Sequence, residues 1–356
     1  MEQEKQTQPE QKKKRLSTPL LIFIILMAVT LTLCAVVAGI WLHGRSSLRN
    51  QGAAPTDAPD DTQQLDSYTV LHDGKYYRYK DHMVNLLLIG VDSDNKPAAP
   101  LPYGSDNQAD VIPVAAHRMT LISVSRDTMC DIAVLDQNGQ VSGAAHTQLA
   151  LSYSNGDGLY ESCRLCQEAV SQLFYGLQFD GCAAFYMGGI GRLNDAVGGV
   201  TVSVLDDYPF TDVPNGWNMY PGQDVTLTGR QARLYIQARR GDATGNEDRM
   251  KRQKQYMLAL ISQAKDRVAA SPASVVPLYN AVSDYVLTDL DLGKLSYLAT
   301  QAAGMSFSGD MLRVTGDAVL GQGNRVELTV DQEALYDLIL DVFYEEIPAP
   351  TDTTGE

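Results

Sequence analysis

Positive charge is scarce in this chain. Its 28 Lys and Arg face 43 Asp and Glu, for a formal charge of -15. A general nucleic-acid binder needs a basic surface, so that class is excluded. Cysteine is scarcer still, 5 of 356 residues, which rules out a disulfide-dense scaffold. No GxSxG, HExxH, GxxxxGKS/T or GxGxxG occurs, so several common enzyme classes lose their usual sequence support. What is present is a composition that packs: 44% hydrophobic and 20% charged residues exclude wholesale disorder. The length suits one large domain or two ordinary ones.

One apolar run is long. From Pro19 to Leu42 there is no charge, and Leu, Ile, Val and Ala dominate. About 20 such residues in a helix span a bilayer core. Lys12-Lys13-Lys14-Arg15 precede the run and only Arg45 and Arg49 follow closely. The positive-inside rule then predicts a cytoplasmic tail at 1–18, a transmembrane helix at 19–42 and an extracytoplasmic remainder. A cleaved signal peptide has a shorter apolar stretch and an A-x-A-like site, which fits less well. Cys130, Cys163, Cys166 and Cys182 lie beyond the membrane segment, where either two disulfides or buried free thiols are open.

Residues 43–67, rich in Pro, Ala, Asp, Thr and Gln around 51–64, read as a flexible extracytoplasmic stalk. A domain is expected over 68–347, and a frayed tail over 348–356. Met83–Val91 is a mostly apolar run that suits a strand buried on both faces. Asp110–Ala116 and Met119–Val124 are two further short strands; Pro113 in the first argues for an edge or a bulge. Helices are expected at 159–177, 188–197, 229–240, 248–269 and 331–344. Strands are expected at 183–187, 200–205, 311–314 and 325–329. This alternation predicts an α/β domain with a central mixed β-sheet flanked by helices in α-β-α layers.

Charge is concentrated in one place. Between Gly229 and Lys254 eight basic residues meet three acidic ones, so this stretch is +5 and the rest of the chain is -20. Six of the eight are Arg, whose planar fork suits phosphate. Arg249, Arg252 and Gln253 share one helix face near an N-terminus, itself a favourable anion site. The same residues would also suit a solvated helix face. Arg126 stands at a predicted strand exit, where layered α/β folds bind ligands. Asp92 follows another strand and Asp110 opens a third; carboxylates near an Arg cluster can hold Mg2+ against phosphate oxygens.

Together these pieces resemble the LytR-CpsA-Psr family. Asn85-Leu-Leu-Leu-Ile-Gly-Val-Asp92, Ala109-Asp110 and Ser125-Arg126-Asp127-Thr128 look like its opening motifs. Gly198-Gly-Val-Thr-Val-Ser-Val204 resembles its GGV strand. Leu227-Thr-Gly-Arg-Gln-Ala-Arg-Leu-Tyr235, Arg239 and Asp248-Arg249-Met-Lys-Arg252-Gln253 match its Arg-rich region in order and spacing. The resemblance covers roughly residues 80–345. It implies a membrane-anchored, extracytoplasmic phosphotransferase of Gram-positive bacteria. Such an enzyme moves a glycopolymer, such as teichoic acid or capsule, from a polyprenyl pyrophosphate carrier onto peptidoglycan. It further implies a hydrophobic tunnel for the prenyl tail, and Asp92 and Asp110 as Mg2+ ligands. Arg126, Arg239, Arg249, Arg252 and Gln253 would grip the pyrophosphate, with Arg240 as a further candidate. Asp92, Asp110 and Arg126 would carry the catalysis. Three departures stand out: Gln108 and Ala109 where the family usually has Arg, Gln237 where it has Arg, and Asn246 where it has Asp. They keep a second reading open, a catalytically weak prenyl-pyrophosphate binder or pyrophosphatase acting as a regulator. A wall-polymer-binding module without chemistry is a third.

Overall fold

The computed structural model describes residues 39, 41–48, 54–97, 107–115, 118–205, 220–238, 245–321 and 325–349. The expected cytoplasmic tail, almost all of the 19–42 segment, Arg239, Arg240 and most of the 348–356 tail lie outside the described residues. Among the described residues no helix is long and apolar enough to cross a membrane.

A helix at 41–48 (α1) precedes the domain. Then come β1 (Gln63–Gln64), β2 (Thr69–His72), β3 (Lys75–Tyr79), β4 (Val84–Val91), β5 (Asn107–Ala115), β6 (Arg118–Val124), β7 (Met129–Leu135) and β8 (Val141–Gln148). Two helices, α2 (Ala150–Ser154) and α3 (Tyr160–Leu173), lead to β9 (Gly181–Tyr186), α4 (Ile190–Ala196), β10 (Val200–Ser203) and β11 (Asp224–Leu227). The basic stretch forms α5 (Gly229–Gln237) and the long α6 (Gly245–Ala270). The chain ends with α7 (Val275–Val282), β12 (Val286–Thr288), α8 (Leu292–Gly304), β13 (Ser306–Arg313), β14 (Gly316–Leu320), β15 (Val326–Val330), α9 (Gln332–Phe343) and β16 (Tyr344–Ile347).

The central sheet has the order β12-β9-β4-β5-β6-β13. It is mixed, as expected: β4 runs parallel to β9 and β6 to β13, while β5 is antiparallel to both its neighbours. Pro113 stands in an interior strand, not at an edge. Its β4 neighbour is Asn85, and the ladder to β6 skips Ile112 and Pro113 between Val111↔Ile122 and Val114↔Met119. Proline has no N–H to give, and the ladder lapses there without a change of register.

One buried core covers a face of this sheet, and a second lies apart from it. Leu87, Ile89, Val91, Val111, Ile122 and Val124 pack with Cys163, Cys166 and Val170 of α3 and with Leu335, Ile339 and Phe343 of α9. A second core joins Val200 and Val202 of β10 to Ala232 and Tyr235 of α5 and Tyr256 of α6. Asn194 pins the second core: its Oδ1 accepts the Val200 N–H (3.1 Å) and its Nδ2 donates to Leu227 O (2.7 Å). Gly198 and Gly199, at φ +96° and +89°, make the tight turn from α4 into β10 that side chains would strain. The ends of the helices follow capping chemistry. Thr228 and Gln231 form a capping box on α5, Asp291 caps α8 and Asp331 caps α9.

The cysteines are resolved as thiols: Cys130, Cys163, Cys166 and Cys182 are free and buried in the first core. Burial pushes the Cys130 and Cys166 thiols up to about 12. The stalk needs correction. Composition reads 43–67 as solvated coil, yet its described part is seated on the domain. Ala54 is buried in the first core, the Asp57 N–H donates to Tyr175 O (2.9 Å), and Gln63–Gln64 pair with β2. Tertiary contacts override a weak local preference here.

Candidate site at the carboxyl end of the sheet

β4, β6, β9 and β13 point the same way, so their exits share one end of the sheet. Asp92 is exposed just past β4, where the chain turns: Ser93 N–H donates to Val91 O (2.8 Å) and Gly188 N–H to Ser93 O (3.2 Å). Arg126 stands just past β6 in a turn closed by Thr128 N–H to Ser125 O (3.1 Å). Neighbours lock that turn. Ala150 N–H, at the start of α2, donates to Arg126 O (3.0 Å), and Leu328 N–H of β15 donates to Asp127 O (2.9 Å). The Arg126 side chain is 33% exposed, with Nε 3.4 Å from Asp127 Oδ1. Two strand spacings, about 10 Å, separate the β4 and β6 exits.

Of Asp110 the structure describes the backbone. Its register partners are Leu88 on β4 and Ser123 on β6. Roughly 13 Å of strand therefore separates it from Asp92 along the register. A shared ion needs the Asp92 turn to bring that carboxylate back over the sheet. Among the described residues no group of three or more His, Cys, Asp or Glu stands ready to hold a metal. The donor set fits magnesium in kind, since that ion takes one or two carboxylates and completes its shell with phosphate oxygens and water.

The basic helices reach the same end. Arg233 of α5 pairs with Asp94, two residues beyond Asp92, and its Nε donates to Gln237 Oε1 (3.2 Å). Arg249 is half-buried near the start of α6. Arg252 and Gln253 depart from the expected role. Arg252 is 1% exposed; its Nε donates to Tyr235 O (2.9 Å) and its Nη2 to Ala238 O. Gln253 Nε2 donates to Ile236 O (3.0 Å). The last carbonyls of α5 have no partner within their own helix, and these α6 donors satisfy them. Both residues thus hold the segment that leads into Arg239.

Below this polar end the sheet has two unlike faces. Leu87, Ile89 and Val91 are buried in the first core, but on the other face Leu86, Leu88, Ala183, Phe185, Met119 and Met311 are only half-buried and belong to neither core, while Leu121 beside Met311 is sealed. The expectation of a strand buried on both faces is half right. α6 lies against β13 of this sheet and α8 packs on α6; Leu258 and Ile261 of α6 and Leu295 and Leu298 of α8 are half-buried as well.

Sequence reasoning counted Arg233 within the basic stretch but gave it no role; its i, i+4 spacing to Gln237 was the available signal. The pairing with Asp94 had none, because it joins residues 139 apart.

Comparison with known proteins agrees with this architecture. Solved structures share the fold: a Streptococcus agalactiae protein (TM-score 0.59, 20% identity, covering 74% of this chain and 90% of that one) and B. subtilis TagV (0.56, 22%, 73% and 95%). A polyisoprenyl-teichoic acid–peptidoglycan teichoic acid transferase TagU from Oceanobacillus iheyensis is 27% identical over 336 residues, 92% of this chain and 94% of that protein. The TagU of Halalkalibacterium halodurans is 26% identical over 299 residues, covering 83% and 88%. The model of the LytR_cpsA_psr family matches residues 46–338, and the chain therefore belongs to the LytR-CpsA-Psr family.

Proposed function

We propose that this protein transfers a glycopolymer from a polyprenyl-pyrophosphate carrier to peptidoglycan, outside a membrane that residues 19–42 cross with the N-terminus inside. One observation carries the reading: a cation-bearing strand-exit end sits above a sheet face most of whose described apolar side chains are left half-buried, Leu121 being the sealed exception. Interior faces of layered folds are normally sealed. A half-open apolar face continuous with arginines suits a ligand with a hydrocarbon tail and a pyrophosphate head. The named TagU relatives, and a solved structure titled TagT bound to LI-WTA (TM-score 0.53), support this substrate class.

In phosphoryl transfer the protein positions groups and neutralises charge. Arg126 and Arg249, with Arg239 and Arg240, grip the pyrophosphate oxygens. At an effective dielectric near 20 each guanidinium at about 4 Å is worth roughly 4 kcal/mol before desolvation. That is enough to offset a chain of formal charge -15. Arg252 and Gln253 fix the end of α5 from which Arg239 follows. A peptidoglycan sugar hydroxyl attacks the phosphorus bearing the glycan. The new P–O bond forms as the bond to prenyl phosphate breaks, and Asp92 or Asp110 receives the hydroxyl proton. We assign Asp92 and Asp110 as the carboxylates for Mg2+, which when bound offsets charge on the pyrophosphate.

The test is a product assay with a prenyl-pyrophosphate oligosaccharide, Mg2+ and a peptidoglycan acceptor. Ligated acceptor supports the proposal. Phosphate release without ligation points instead to the pyrophosphatase reading that Gln108, Gln237 and Asn246 keep open, and binding without product to a wall-polymer module. Asp110→Ala should shift the Mg2+ response to higher concentration; an unaltered titration would leave Asp92 as the ligand alone.

A further inference from the structure

α1 is docked, and its docking face is regular. Trp41, Gly44, Arg45 and Leu48 turn inward while Leu42, His43 and Ser46 are exposed, the i, i+3, i+4, i+7 pattern of a packed helix. The seat is α8. Trp41 Nε1–H donates to Thr300 Oγ1 (3.1 Å), and its ring meets Tyr297 edge-on with centroids 5.4 Å apart. Arg45 lies over the same indole, 5.7 Å from the centroid. Gly44 lets the two backbones touch: a Cβ there would stand 2.2 Å from Gly293 O. Only glycine allows that approach.

The direction matters. Trp41 lies against Tyr297 and Thr300, and Gly44 against Gly293, so α1 runs antiparallel to α8 with Trp41 toward the latter's Gly304 end. That end leads into Ser306, the first residue of β13, paired with Arg118, the first of β6. It is the end of the sheet opposite Arg126, about 23 Å of strand away. Trp41 and Tyr297 are the residue types that settle at the headgroup level of a bilayer. Leu42, 55% exposed beside them, faces outward.

We infer that α1 and α8 together form a membrane-seating surface. The contact holds the α8 end of the domain at the lipid headgroups and the arginine end away from them, with no free leash between membrane and domain. The inference rests on the anchoring read above, but not on the transfer reaction.

The test is energy transfer in vesicles of phosphatidylcholine and phosphatidylglycerol whose headgroups carry an acceptor dye. The full chain, with Cys34→Ser, is labelled at Gly304→Cys or at Asn95→Cys. Gly304 has open space for a side chain, and Asn95 is exposed beyond the β4 exit. The buried thiols stay unlabelled. Transfer should be severalfold more efficient from position 304 than from position 95. Gly44→Leu, which drives a side chain into Gly293, should erase the difference. If that variant does not accumulate, Trp41→Ala with Thr300→Val removes the same contact. Equal transfer from both positions with α1 intact overturns the inference. A labelled chain that stays out of the vesicles overturns the anchoring, and the inference with it.

Discussion

Asp180 is a carboxylate at 5% exposure in the loop before β9, and it bears on stability, not on the site. Its Oδ2 accepts the Asn85 N–H (2.8 Å). Burial nonetheless pushes its pKa up to about 6, against the pull of that hydrogen bond and of Lys294. The folded state thus holds the proton more tightly than the unfolded chain. The stabilisation is complete below about pH 4 and is lost as pH rises through about 6. Asp180→Asn should remove this dependence and raise stability at pH 7.5 by on the order of 2 kcal/mol. Thermal unfolding of both proteins from pH 4 to 8 checks it; parallel curves would contradict it. Arg126 is the opposite case. Its contact with Asp127 at 3.4 Å, on a part-exposed side chain, is worth under about 1 kcal/mol. Arg126→Ala should abolish turnover while leaving the melting temperature almost unchanged.

At the scale of elements the junction of α5 and α6 separates two kinds of arginine. Arg252 is sealed among the α5 carbonyls, with the Tyr235 ring 5.9 Å from its guanidinium carbon. Arg252→Met should leave buried acceptors unsatisfied and cost on the order of 3 kcal/mol, seen as a clear fall in melting temperature. Arg249→Met, one turn earlier and half-buried, should weaken pyrophosphate binding in the protein that stays folded. The sequence assigned both to one task because spacing tells which residues share a helix face, not which neighbour lies opposite. The same limit explains other outcomes. The Asp92 and Arg126 strand exits were legible, since apolar runs ending in polar turns have one reading. The interior place of Pro113 was not, because the lapse in its ladder is visible only once β6 is known to lie beside it. α8 and the β7–β8 ribbon went unread because their patterns are short and their partners distant.

The whole molecule differs from an ordinary three-layer fold in how its middle layer is filled. Leu87 and Leu88 are consecutive, both leucine, and identical to any pattern reading. Leu87 is 1% exposed in the first core, whereas Leu88 is half-buried on the other face of the sheet. The two should answer opposite questions. Leu87→Ala opens a cavity in a close-packed core and should cost about 2–5 kcal/mol, with unchanged lipid affinity in whatever fraction stays folded. Leu88→Trp enlarges a side chain where the face is not sealed, so unfolding should shift little. It should instead obstruct the hydrocarbon tail. Binding of a long-chain prenyl phosphate should fall severalfold, while binding of inorganic pyrophosphate, which has no tail, stays constant. Titration of both ligands against both variants, alongside thermal unfolding, makes the comparison. Unchanged affinity of Leu88→Trp for the long-chain ligand would mean that the half-open face does not receive the tail, and would leave the arginine end without its apolar counterpart.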